Sequence, residues 1–312
     1  MPLDPELEPL VQLMNAAEDA RAATERSVED LRAGLAALPM LFGEPEAVTL
    51  VQEHTFPGAA GDISARLYQP RRAGPFGALV WFHGGGFVIG SVDTHDHLCR
   101  ELANRADCVV VAVDYRLAPE HPFPAAVDDG WAALNWVVEE GPSMSIEPDR
   151  IAVGGDSAGG NLATVIARRA RDEGDPELRF QLLVYPFIDL RADAAWVSRQ
   201  TNAEGYVLTT ELLEWFRGHY LDDADGDQED ATPSVAEDLS GLPPAFVIAA
   251  ELDPLHDETV AYAEQLAAAG VPVELRDYDG AVHIFFQLGP VSDLGRRAVD
   301  EAAAALRAAL AP

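Results

Sequence analysis

The chain has 312 residues, 53 of them acidic and 21 basic, for a formal net charge of -32, and every basic residue is Arg. Without lysine there is no Schiff-base chemistry, no P-loop phosphate lysine and no Ser-x-x-Lys hydrolase, and so much negative charge opposes nucleic-acid binding. The apolar stretches, such as "CVVVAV" from Cys108, are too short to span a bilayer, so no integral membrane segment is expected.

The start, "MPLDPELEPLVQLM", is acidic and lacks the basic and apolar regions of a signal peptide, which places the protein in the cytoplasm as an expectation. Cys99 and Cys108 are too few for a disulfide framework and have no metal-ligand neighbours at short spacing, so both read as free buried thiols. Two explanations of the acidity stay open. Adaptation to molar salt is one, since the Debye length then falls to about 3 Å; a GC-rich genome that trades Lys for Arg is the other.

In chain order, "PELEPLVQLMNAAEDA" and "SVEDLRAGLAAL" carry apolar residues at helical spacing and read as two amphipathic helices. "AVTLVQEHTF" and "DISARLYQP" alternate as an antiparallel pair joined through Pro57, Gly58 and Gly61. Strands and helices then alternate: "GALVWFH", "THDHLCRELANRA", "CVVVAVDY", "AAVDDGWAALNWVVEE", "RIAVGG", "AGGNLATVIARRARDEG", "RFQLLVYP". Continuous apolar strands between helices predict a mostly parallel sheet covered on both faces, with ligands at the strands' carboxyl ends.

After Pro186 the alternation pauses for "TTELLEWFRGHYL", a helix with Leu212, Leu213, Trp215 and Phe216 on its apolar face, and an acidic loop. An insertion above the strand ends is a candidate lid. The loop "DDADGDQED" lacks the spacing of a calcium loop and reads as solvated charge. The pattern resumes with "PAFVIAA", a helix from about His256, "PVELRDY" and a last helix near "GRRAVDEAAAALRAAL".

The chemistry is concentrated at "GGDSAGG", where Gly155-Asp156-Ser157-Ala158-Gly159 sits between a strand and a helix. A turn sharp enough to lift the Ser157 hydroxyl above the sheet needs small neighbours, and the helix behind it aims its positive dipole end at whatever the serine attacks. A serine needs a base, and the base an orienting acid. In the order serine, acid, histidine, "PAFVIAAELDPLHDE" delivers Asp253 after one late strand and "PVELRDYDGAVHIFF" delivers His283 after the last.

Glu251 leaves its strand too early to be the acid, and Asp257 and Glu258 fall in the following helix, where solvation or helix N-terminal charge is the usual reason for an acid. His256 lies in the acid's own loop; His54, His121 and His219 lie away from the strand ends. His95 and His97 are two apart on a helix and cannot share a metal on one face. "HGGG" at residues 83–86 supplies backbone N–H donors for a developing oxyanion. Gly85 and Gly86 are the expected donors with Ala158 as the third; Gly84 permits the turn and His83 holds the loop. No GxGxxG accompanies these glycines, which argues against a phosphate cradle.

"HGGGFVIG", "DYRLAPEHPFPAA", "GGDSAGGN", "YPFID", "NAEGYVLT" and "LDPLHDE", with the late histidine, resemble the bacterial hormone-sensitive-lipase family of carboxylesterases, GDSAG type, over essentially the whole length. The resemblance implies an α/β-hydrolase fold: a mostly parallel sheet with helices on both faces and a helical cap. It divides the chain into N-terminal cap helices (1–45), a first core part (46–187), a cap insertion (188–232) and a second core part (233–312). It implies esterase activity on short to medium acyl chains through Ser157, His283 and Asp253, with a small-molecule ester as partner and no cofactor or metal.

The family continues its histidine with glycine and an aromatic; here Ile284 stands between His283 and Phe285, changing the adjacent pocket wall. Phe87, Val88, Leu212, Leu213, Trp215, Phe216 and Ile284 are the expected pocket residues, and the assembly is compatible with a homodimer. Two other readings stay open: a non-catalytic small-molecule-binding protein on the same fold, and an amidase or deacetylase using the same triad.

Overall fold

The strand β3 (Phe76–Phe82) is buried at every position, as its unbroken apolar sequence "FGALVWF" demands. In the computed structural model, which describes residues 2–18, 26–222 and 224–312, it lies inside an eight-stranded sheet. The others are β1 (Leu50–Gly58), β2 (Gly61–Gln69), β4 (Val109–Asp114), β5 (Ile146–Asp156), β6 (Phe180–Val184), β7 (Ala245–Leu252) and β8 (Val273–Val282). Their order is β1-β2-β4-β3-β5-β6-β7-β8. Only the β1–β2 and β2–β4 pairings are antiparallel. The expected fold class is the one observed.

The hairpin at one edge is tighter than its sequence suggests: Pro57 pairs with Asp62 and Gly58 with Gly61, leaving residues 59–60 to turn. Pro57 is tolerated because β1 is an edge strand with no further neighbour to supply.

The helices divide the core in two. On one sheet face α3 (Asp96–Ala106) and α9 (Asp293–Ala309) bury Leu98, Leu102, Val299 and Leu306 against Leu79 and Trp81. On the other, α4 (Ala125–Glu140), α5 (Ala158–Glu173) and α8 (His256–Ala268) bury Leu134, Leu162, Ile166 and Leu266 against Val80 and Phe82. Cys99 and Cys108 are free and buried, Cys108 with its thiol pushed up to about 12 by burial.

Four further helical segments frame the carboxyl ends of the strands: α1 (Glu8–Glu18), α2 (Val28–Ala37), the single turn α6 (Ser198–Thr201) and α7 (Thr210–Leu221). Ser27 caps α2 in a reciprocal pair with Asp30, and Thr209 caps α7 by accepting from Leu212 N–H. The predicted first helix reaches residue 20, and its last two residues lie outside the described residues, as does Asp223 in the acidic loop. That loop is less solvated than its composition suggests, because Arg168 on α5 pairs with both Glu229 and Asp230. Among the described residues, no group of three or more His, Cys, Asp or Glu is placed to hold a metal ion, and no helix is long and apolar enough to cross a membrane.

Candidate active site

Ser157 is the whole turn between β5 and α5. Its backbone sits at φ 55°, ψ -119°, a conformation that costs a non-glycine residue about 1–3 kcal/mol and persists only where its surroundings enforce it. Here Ser157 N–H donates to the Val184 carbonyl at 2.9 Å and the Ser157 carbonyl accepts from Phe187 N–H at 3.0 Å. A Cβ at Gly155 would meet the backbone of Gly159 and Phe82, and one at Gly159 would overlap the Phe82 carbonyl. Both glycines are therefore required by close approach. One turn further on, the Asn161 amide ties the helix to the carbonyls of Phe187 and Ala231, at 2.8 and 2.9 Å.

Two loops from the far end of the sheet meet this turn. Asp253 follows β7 directly, fully buried, and its Oδ2 lies 2.6 Å from Nδ1 of His283, which follows β8. The other oxygen, Oδ1, accepts the Leu255 N–H at 2.9 Å, so the carboxylate is fixed at both ends. Asn202 holds the same loop by donating to the carbonyls of Glu251 and Asp253 at 3.0 and 3.1 Å. The Tyr185 ring backs His283 with centroids 4.6 Å apart. Ser157 and His283 line one cavity, and no hydrogen bond joins their side chains among the described residues. Such a contact commonly closes only once substrate is present.

The rival acids have other partners. Glu251 accepts from Gly280 N–H and Asp257 from Ser198 N–H. Glu258 is not on a solvated face: it is buried, accepts from Ile188 N–H and Asp189 N–H, and pairs with Arg199 at 2.6 Å. His256 bridges Asp277 and Asp257 at 3.0 and 3.1 Å. Its bond to Asp277 outweighs burial and, with Asp257, pushes it up to about 9.

The glycine loop after β3 is braced from three sides. Tyr115 Oη donates to the His83 carbonyl at 2.7 Å, His83 Nδ1 lies 2.8 Å from the Gly84 carbonyl, and Gly84 N–H donates to Asp156 Oδ1 at 2.9 Å. Burial, with His95 nearby, pushes His83 down to about 3, so the ring is neutral at ordinary pH. Burial alone would raise Asp156, but His95, Gln287 and His83 overcome it and hold the carboxyl below its usual range. Past this anchor Gly85 (φ 121°) and Gly86 (φ 59°) take left-handed backbones, and a Cβ on Gly86 would strike the Phe216 ring. Among the described residues no protein acceptor takes the N–H of Gly85, Gly86 or Ala158.

His95, Asp156, Gln287 and Tyr115 brace the site without any sequence signal that marks them for it. His95, whose spacing from His97 rules out a shared metal, is buried before α3 and lies 3.2 Å from Asp156 Oδ2, which also accepts from Gln287 Nε2 at 2.9 Å. Their adjacency joins residues 95, 156 and 287, and no local pattern carries it.

The cavity holds about 420 Å³ and is mainly apolar. Leu212, Leu213, Phe216 and Ile284 line it, together with Leu31 and Leu35 of α2 and Leu10, Leu13 and Met14 of α1. Phe87, Val88 and Trp215 are placed elsewhere. Phe87 has a left-handed backbone (φ 64°) that turns its ring into the core, stacked on Tyr220 at 3.7 Å, and Val88 is fully buried beside it. Trp215 packs edge-on against His219, 4.2 Å between centroids. Ile284 itself sits at φ 69°, a region that β-branched residues rarely occupy.

A family model described as alpha/beta hydrolase fold matches residues 79–287. The chain belongs to the α/β-hydrolase family. This α/β hydrolase is 41% identical to Esterase LipI of Mycobacterium tuberculosis over 98% of its own length and 96% of that protein. It is 38% identical to an ethyl acetate hydrolase of Pseudomonas putida, covering 93% of this chain and 94% of the relative. Among solved structures, a hyperthermophilic esterase from the archaeon Pyrobaculum calidifontis superposes with a TM-score of 0.93 at 42% identity, covering all of both chains. Within its family the α/β hydrolase groups with the hormone-sensitive-lipase-like esterases, as its motifs imply.

Proposed function

We propose that the protein is a serine carboxylesterase that hydrolyses acyl esters through a covalent acyl-enzyme. The observation that carries this reading is convergence: the strained Ser157 and the Asp253-bound His283 open on one apolar cavity, beside three backbone N–H groups without a protein acceptor. The esterase names of its relatives support the same class.

In this mechanism the Ser157 oxygen attacks the ester carbonyl carbon while His283 Nε2 takes the hydroxyl proton. Asp253 holds Nδ1–H and stabilises the imidazolium that forms. The charge gathering on the carbonyl oxygen is met by the N–H groups of Gly85, Gly86 and Ala158, whose dipoles are already fixed and need no reorganisation. Collapse breaks the bond to the alcohol oxygen, which leaves with the proton from His283. Water then repeats the sequence on the acyl-enzyme, losing its proton to His283, and releases the carboxylic acid. A cavity of about 420 Å³ lined by leucines suits short to medium acyl chains.

The test is Ser157→Ala assayed on p-nitrophenyl butyrate, with circular dichroism and thermal unfolding as controls for the fold. Turnover falls to background in a folded protein; a folded variant that retains turnover refutes the reading.

A further inference from the structure

A second, smaller groove of about 290 Å³ lies between α1 and the turn that leads into α9. Five leucines line it, and Phe42 and Val291 are among the lining residues that it does not share with the catalytic cavity. Leu10, Leu13 and Leu41 line this groove and the catalytic cavity alike, so the two are neighbours that share an apolar wall. Glu6 also lines it, with its carboxylate engaged by the start of α9, where it accepts from Asp293 N–H at 2.7 Å and from the Ser292 hydroxyl. Leu13 (60% exposed), Leu41 (50%) and Val291 (48%) leave large apolar side chains in water at one place, an arrangement that marks a binding surface.

Three occupants have the chemistry to cover such a surface: a lipid bilayer, a second copy of this chain, or part of the substrate. The net charge of -32 repels an anionic membrane and another copy of the same molecule, whereas a neutral alkyl chain meets no such opposition. We propose that the groove is a distal acyl subsite. The far end of a long, unbranched acyl chain, held at Ser157 by its ester group, passes over Leu10, Leu13 and Leu41 and ends against Phe42 and Val291. The inference rests on the esterase reading above and extends its substrates to long-chain esters. Each methylene moved from water into the groove contributes binding only for chains long enough to reach it.

The experiment compares p-nitrophenyl butyrate and p-nitrophenyl laurate on the wild-type enzyme, on Val291→Trp, which fills the groove, and on Val291→Asp, which charges it. The laurate-to-butyrate ratio of kcat/KM falls at least tenfold in both variants, mainly through the KM for laurate. An unchanged ratio overturns the proposal. So does an unchanged ratio accompanied by loss of a wild-type dimer in sedimentation velocity, which would assign the face to a second copy. Calorimetric binding of 1-decanol, which needs no turnover, separates the subsite from the esterase reading. Should no ester be hydrolysed, decanol binding weakened at least tenfold by Val291→Trp still supports the subsite, and equal binding overturns it.

Discussion

The carboxylate of Asp253 lies 2.6 Å from His283 Nδ1 through one oxygen and takes Leu255 N–H at 2.9 Å through the other, so it is oriented before substrate arrives. This bond selects the tautomer that leaves Nε2 free to accept a proton. Asp253→Asn keeps the shape and reverses that preference, because an amide nitrogen facing Nδ1 favours the wrong tautomer. The expected result is a fall in kcat of about 10⁴ with little change in KM, measured on p-nitrophenyl butyrate. A loss below tenfold would show that Asp253 does not orient the base.

Asp156 acts at one remove from the chemistry, through the N–H of Gly84. Asp156→Ala leaves that buried donor unpaired, at a cost of about 1–3 kcal/mol, and frees the loop that carries Gly85 and Gly86. If one oxyanion donor drifts out of line, kcat falls by about 10²–10³. Chemical denaturation and steady-state kinetics on the same sample read both effects. Stability lost without any change in kcat would confine Asp156 to a structural role.

The backbone of Ile284 at φ 69° suits glycine better than any β-branched residue. Elsewhere glycine is the worse replacement, by about 0.5–1 kcal/mol relative to alanine. Here the order reverses: Ile284→Gly relieves the left-handed strain and unfolds at higher urea than Ile284→Ala. The usual order would mean that this backbone is not strained.

His256 gives the stability a pH dependence of known sign. Its folded pKa, pushed up to about 9 by Asp277 and Asp257, exceeds the unfolded value of 6.5. The proton is therefore held more tightly in the native state, and the contribution is full below pH 6.5 and fades as pH rises through 9. Between pH 6 and pH 9.5 the wild-type thermal midpoint drops further than that of His256→Gln. Parallel profiles would show that the Asp277–His256–Asp257 bridge contributes nothing.

All eight strands were legible in the sequence, because central parallel strands must be apolar on both faces and the edge hairpin announces itself by alternation. The Ser157 turn was legible for a similar reason: Gly155 and Gly159 stand where no side chain fits, between a strand and a helix. The cavity wall was legible only in part, through Leu212, Leu213, Phe216 and Ile284. Phe87 lies next to the glycine loop in sequence, but a left-handed backbone sends its ring to Tyr220. Trp215 is adjacent to Phe216 in sequence but packs edge-on against His219, outside the cavity lining. Leu10, Leu31 and Leu35 of α1 and α2 line the cavity through tertiary placement that helical periodicity does not encode. The bond from Glu258 to Arg199 likewise links α8 to a segment nearly 60 residues earlier, so no local signal marked that acid as buried.

The most direct test of the central claim is covalent. Incubated with an equimolar serine-reactive alkyl phosphonate, the protein is expected to gain the mass of one phosphonyl group, to lose esterase activity in proportion, and to carry the adduct on the peptide containing Ser157. Ser157→Ala should gain none. An adduct on another residue, or full activity after stoichiometric labelling of Ser157, would contradict the account.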